Sequence, residues 1–148
     1  MKKRLNEVVI LIFVDASYII ALVVESDQWN ENALKLIDKV AQSDKAITQV
    51  MIIETINLIG KCKGGKAGKS IYQYIKDNYT IYNKADLLDR AMKEFIKYNG
   101  TLSLADCTGI ITMQDLNIHE IISFDDDFDK VDGIIRVKWK QTNYIDKI

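Results

Sequence analysis

The sequence predicts an α/β fold with a central, mainly parallel sheet flanked by helices. Three observations carry that prediction. Short β-branched apolar runs alternate with longer amphipathic stretches along the chain. The first run, "VVILIFV" at residues 8–14, is apolar at successive rather than alternate positions, as expected for a strand covered on both faces by helices. The chain has 148 residues, 48% of them hydrophobic, enough for one sizeable core with little room for a second, so a single domain over 1–148 is expected.

The elements follow in order. After the first strand, "SYIIALVVE" and "NENALKLIDKVAQ" predict two helices separated by the polar turn "SDQW", with Asn30 capping the second. "KAITQ" predicts a short strand. "QVMIIETINLIGKCK" predicts a helix with an inner face of Met51, Ile52, Thr55, Ile56 and Ile59, and it carries Glu54. Three of the seven glycines and four lysines crowd into "KCKGGKAGK", residues 61–69, which predicts a loop. A helix at about residues 70–78, a strand "YTIY" and a helix "ADLLDRAMKEFIKY" come next, the last stopped by Asn99 and Gly100. "SLADCTGIITMQDL" predicts a buried helix opened by Ser103, with Asp106 one turn in. "HEIISF" predicts a strand, "DDDFDKV" a loop or single helical turn, and "GIIRVK" the last strand, before a tail at 139–148.

Several function classes are disfavoured. The net charge of −1 gives no bulk attraction to a polyanion, so phosphate contacts must come from a local patch, for which Lys61, Lys63, Lys66 and Lys69 are candidates unless they simply solvate a loop. Cys62 and Cys107 offer neither a disulfide framework nor metal-ligand spacing and are expected to be free thiols in a reducing cytoplasm. "MKKR" before an apolar run imitates a signal peptide, but the apolar core is short and no small-residue cleavage site follows. Asp15 at the centre of a bilayer would cost about 2.5–3.5 kcal/mol, so no membrane insertion is expected. "GGKAGKS" misses the phosphate-loop register and follows no strand, which argues against a nucleoside triphosphatase. The single histidine, His119, cannot supply a two-histidine acid–base pair, and it reads as the start of a strand. Tyr72, Tyr74, Tyr79 and Tyr82 can stack bases, but at these spacings some must pack inside, and core is the expected role.

Four acidic residues share a context. Asp15 and Asp125 each follow a strand, at the rim where ligands collect in open α/β sheets, and the helices carrying Glu54 and Asp106 can reach the same rim. Gathered carboxylates repel one another and raise each other's pKa unless a cation neutralises them. Oxygen ligands without histidine or thiolate favour Mg²⁺ or Mn²⁺ over zinc. Each residue also has a structural role available. Asp15 can cap a helix, Glu54 can face solvent, Asp106 stands at capping-box spacing from Ser103, and Asp125 to Asp129 can form a solvated turn.

The order of these residues and their local phrases carry a family resemblance. "FVDAS", "IIETINL", "LSLADC" and "IISFDDDFDKVDGIIRV" resemble the PIN-domain ribonucleases, particularly the VapC-like toxins of toxin–antitoxin pairs, over roughly residues 10–138. The resemblance implies a PIN-like three-layer fold with metal-binding carboxylates at Asp15, Glu54, Asp106 and Asp125. It also implies an acid at Asp127 that supports the metal site or binds the ion in place of Asp125, and hydroxyls at Ser17 and Ser123 that hold water or a ligand. Asp126 departs from the pattern, since that position is often basic or neutral. The implied activity is that of an Mg²⁺- or Mn²⁺-dependent endoribonuclease. An ion held there activates water and offsets charge on the leaving oxygen, so hydrolysis leaves a 5′-phosphate and a 3′-hydroxyl. The implied partners are RNA, a second copy of the chain, and a small antitoxin received in an exposed apolar groove. Two other readings compete. One is a catalytically silent PIN-fold RNA-binding or scaffold protein, against which the four retained acids argue. The other is a haloacid-dehalogenase-like phosphatase, which needs a second aspartate where this chain has Ser17.

Overall fold

The computed structural model describes residues 10–137. Among them the chain runs β1 (Leu11–Val14), α1 (Ala16–Val23), α2 (Asn30–Ala41), β2 (Asp44–Thr48), α3 (Gln49–Lys63), α4 (Gly65–Asn78), β3 (Tyr79–Tyr82), α5 (Leu87–Lys97), α6 (Leu104–Asp115), β4 (Glu120–Ile122), a 3-10 turn (Asp126–Lys130) and β5 (Ile135–Arg136). The sheet is parallel throughout, in the order β3-β2-β1-β4-β5. The chain steps outward from β1 to β2 to β3, then returns to β4 on the other side of β1. Right-handed connections therefore put the helices of the two legs on opposite faces, giving three layers. The reversal makes the carboxyl ends of β1 and β4 a topological switch point, where a crevice opens in such sheets.

Ile12, Phe13 and Val14 have no exposed surface, as expected for a central strand beneath helices on both faces. α6 is the most enclosed helix described, with every residue from Ala105 to Met113 buried. It comes close to β1 because position 109 is glycine. A Cβ there would stand 2.7 and 2.9 Å from the Phe13 ring, so only a residue without a side chain lets the ring lie against the helix. The α6 backbone is tied to β2 by hydroxyls. The Thr108 Oγ1 proton goes to the Ala105 carbonyl at 2.6 Å, so Thr48 is the donor in the 2.9 Å pair between Thr48 Oγ1 and Thr108 Oγ1. Thr48 Oγ1 in turn accepts the Met51 amide and caps α3. The predicted inner face of α3 is buried at Met51, Ile52, Thr55 and Ile59, with Ile56 partly covered.

Four expectations need correction. Residues 61–69 are not a loop: α3 runs to Lys63 and α4 starts at Gly65, with Gly64 alone breaking the helix at φ +89°. The lysine-rich glycines thus mark a joint between two helices that pack closely, with Gly68 buried against Ile56. Asn30 does not cap α2 by its side chain; its Nδ2 donates to the Ala21 carbonyl at 2.8 Å and fastens α2 to α1. Tyr72 and Tyr74 are exposed, while Tyr82 is buried and Tyr79 half-buried. The first strand begins at Leu11, with residues 8–9 and the tail at 139–148 outside the described residues. Cys62 is an exposed free thiol and Cys107 a buried one. Among the described residues, no helix is long and apolar enough to cross a membrane.

Candidate active site

A cleft of about 390 Å³ opens over the switch point, and Asp15, Glu54, Asp106 and Asp125 all line it. Each is delivered by a different part of the fold. Asp15 ends β1 and caps α1; its amide donates to the Ile122 carbonyl of β4 at 3.0 Å, which pins it at the seam. Glu54 projects from α3, whose Thr48 cap is held to α6. Asp106 is the third residue of α6, and the capping box forms as predicted. The Ser103 amide donates to Asp106 Oδ2 at 3.0 Å, and the Asp106 amide to Ser103 Oγ at 3.1 Å. Asp125 follows β4 and caps the 3-10 turn.

Ser17 and Ser123 organise Asp15. Their hydroxyls donate to the same oxygen, Asp15 Oδ2, at 2.6 and 2.7 Å. Each hydroxyl also accepts an amide from the strand-end loop: Phe124 N to Ser17 Oγ and Asp125 N to Ser123 Oγ, both at 3.0 Å. The capping roles available to Asp15 and Asp106 are thus real, and the same residues also face the cleft. Asp15, Asp106 and Asp125 each commit one oxygen to protein donors, the last through the Asp127 amide at 2.9 Å. Among the described residues their other oxygens accept no hydrogen bond, and Glu54 accepts none at all.

Electrostatics mark the cluster. Asp15 is only 3% exposed and Asp106 7%. Burial, then the charge of Asp15, pushes the Asp106 carboxyl up to about 7, against the pull of the Ser103 hydrogen bonds. Glu54 is raised by burial and then by Asp15 and Asp125. Asp125 is raised chiefly by burial, with the Asp127 amide opposing and Asp127, Asp15 and Asp126 adding to the rise. No lysine, arginine or histidine is among the described residues that line the cleft. The four carboxylates line one cleft with uncommitted oxygens and no cation of the protein's own among its described lining. Hard oxygen donors of this kind suit Mg²⁺ or Mn²⁺, although among the described residues only Asp125, Asp126 and Asp127 bring three carboxylate oxygens within 4.8 Å of one another.

Other residues singled out in the sequence lie elsewhere. Asp127 does not line the cleft, and its Oδ1 pairs with Lys130 Nζ at 2.8 Å. Carboxylate oxygens of Asp125, Asp126 and Asp127 nevertheless lie within 4.8 Å of one another, so the acidic rim continues past Asp125. Lys61, Lys63, Lys66 and Lys69 are exposed on α3 and α4, and none of them lines the cleft. Sequence reasoning missed Ile20, Leu58 and Thr101, which complete the cleft wall. Ile20 and Leu58 stand one helical turn after Ser17 and Glu54, a spacing that places them on the same faces. Thr101 sits just before the Ser103 cap.

A sequence profile described as the PIN domain matches residues 12–134. No curated protein sequence matches the chain. Among solved structures, the Mycobacterium tuberculosis toxin VapC20, described as Sarcin-Ricin loop cleaving, superposes with a TM-score of 0.76 at 22% identity, covering 86% of this chain and 99% of that one. VapBC2 from Rickettsia felis, bound to a DNA fragment from its promoter, gives a TM-score of 0.65 at 11% identity over 88% of this chain and 100% of that one. A toxin–antitoxin complex from Klebsiella pneumoniae gives 0.61 at 19% identity over 84% and 95%. The parallel sheet, the order of its strands and the profile match over most of the length agree: this chain belongs to the PIN domain family and has the fold of the VapC toxins.

Proposed function

We propose that this chain is a divalent-metal-dependent endoribonuclease that hydrolyses RNA phosphodiester bonds, and that it serves as the toxin of a toxin–antitoxin pair. The observation that carries the reading is the convergence of Asp15, Glu54, Asp106 and Asp125 in one cleft with no cation of the protein's own among its described lining. These four residues would hold Mg²⁺ or Mn²⁺. When bound, the ion would supply Lewis acidity, activating water and offsetting charge on the phosphate. The remaining work falls to the chain. Ser17 and Ser123 fix one oxygen of Asp15, Ser103 fixes one of Asp106, and the Asp127 amide fixes one of Asp125, so three ligands are oriented in advance. Asp127 supports the site from behind Asp125, with its own carboxylate shared with Lys130.

The family and the likeness to a toxin described as cleaving the Sarcin-Ricin loop support RNA as the substrate. Lys61, Lys63, Lys66 and Lys69 would touch its backbone without reading sequence. A separate groove of about 550 Å³ lies between α3, α4 and β3, walled by Ile52, Ile53, Ile56, Tyr72 and Ile81. It suits an apolar segment of an antitoxin, a partner that the neighbouring toxin–antitoxin complexes support. A homodimer and a cytoplasmic location complete the reading. The test is RNA cleavage with end analysis. Cleavage should require Mg²⁺ or Mn²⁺, stop in EDTA and leave 5′-phosphates; cleavage that persists in EDTA or leaves cyclic phosphates contradicts the reading.

A further inference from the structure

We propose that Trp29 and Phe124 form a stacking platform for an unpaired nucleobase of the RNA whose phosphate occupies the acidic cleft. The inference rests on the nuclease reading. Phe124 lies between Ser123, which holds Asp15, and Asp125, which lines the cleft, and its amide donates to Ser17. Its ring therefore has a fixed place beside the carboxylates. Trp29 comes from the turn between α1 and α2, where its amide donates to Asp27 Oδ1 at 2.8 Å. The two rings are 5° from parallel with centroids 5.4 Å apart, an offset stack.

Trp29 remains 40% exposed despite that stack. It lines a hollow of about 340 Å³ with Asp27, Gln28 and Phe124, and the same hollow includes Ser17, Ile20, Leu58 and Asp125. Those last four residues also line the acidic cleft, so the two hollows share a wall. A polynucleotide with a phosphate among the carboxylates would thus run directly onto an aromatic surface. Flat aromatic faces accept any base, because every base has a π-face, and Asp27 and Gln28 place hydrogen-bonding groups at the edge. Continuity with the carboxylates favours a nucleobase over an apolar peptide side chain, for which the α3–α4 groove offers a larger surface away from them.

The experiment uses the full chain carrying Trp139→Phe, which leaves Trp29 as the only one of the two tryptophans, in Mg²⁺ with oligonucleotides whose phosphorothioate linkages resist cleavage. Trp29 fluorescence is followed during titration with a single-stranded oligoribonucleotide and with an abasic oligonucleotide of equal length. Quenching by the first and not by the second is expected. Adding Trp29→Ala should weaken binding of labelled RNA by about 5- to 150-fold, and Trp29→Phe by no more than about threefold. The abasic comparison leaves the protein unchanged, so it reads base stacking even if Trp29→Ala disturbs Asp125. Unchanged Trp29 fluorescence with RNA, or equal quenching and affinity for both oligonucleotides, overturns the platform. Failure of the nuclease reading shows elsewhere, as absence of RNA cleavage by the parent protein in Mg²⁺ or Mn²⁺.

Discussion

Asp106 and Asp115 stand at opposite ends of α6 and have opposite fates. Asp115 receives both terminal nitrogens of Arg90 at 2.7 Å and the Tyr82 hydroxyl, and Arg90 above all pulls its carboxyl down to about 2. Asp106 is pushed up to about 7, chiefly by its burial and then by the charge of Asp15. The helix dipole alone would order them the other way, since a carboxylate is favoured at the N-terminus, where Asp106 lies, and disfavoured at the C-terminus. Burial and the Asp15 charge at one end, and the Arg90 pair at the other, outweigh the dipole. The fold supplies basic partners readily elsewhere, as in Lys130 with Asp127 and Arg136 with Asp129. Their absence from the described lining of the cleft is the feature on which the proposed metal site rests.

Removing one charge should separate the two ends of α6 most strongly. Asp106→Asn should lower RNA cleavage by at least about a hundredfold, the scale of losing several kcal/mol of transition-state stabilisation. The metal-free variant should melt no lower than the parent, because one member of a repelling group is gone while an amide oxygen can still accept the Ser103 amide. A destabilised but fully active variant would return Asp106 to a purely capping role.

Gly109→Ala tests what holds Asp106 in place. The added Cβ meets the Phe13 ring and should cost about 1–3 kcal/mol in denaturant unfolding. It should also reduce cleavage, because α6 carries Asp106 away from Asp15. Undiminished stability would mean that the ring or helix shifts at no cost.

Thermal melts against pH distinguish the two aspartates as well. For Asp106 the folded protein binds its proton more tightly than the unfolded chain, so metal-free stability should fall as pH rises from about 4 to about 7. For Asp115 the folded pKa is the lower one. Its contribution is full above about pH 4 and lost as pH falls towards 2. Asp106→Asn should flatten the first slope. Asp115→Asn should flatten the second and lower the melting temperature modestly at pH 7, the smallest of these effects. Slopes unaltered by either substitution would reject the assignment.

Much of the cleft was legible because its residues are tied to local signals. Asp15 and Asp125 follow apolar runs, and Ser103 with Asp106 forms a box at fixed spacing. The strand ends and the box lie on short stretches whose structure is set nearby. What escaped depended on contacts between distant segments. The glycines of residues 61–69 read as a loop, yet Gly68 serves a helix crossing against Ile56, and only Gly64 needs a left-handed backbone. Asn30 resembled a cap, but the Ala21 carbonyl won its amide. Trp29 and Phe124 meet only once α2 and β4 are placed, so no local pattern announces their stack.

On this reading the unneutralised acids of the cleft take up a divalent ion. The most direct measurement is the melting temperature of the parent and of Asp106→Asn at pH 8 across a Mn²⁺ titration. The parent's stability should rise logarithmically above the dissociation constant, reaching about 2.7 kcal/mol of added stability at a hundred times that constant. Asp106→Asn should rise much less at every concentration. Equal responses of the two proteins, or no response from the parent, would contradict the claim.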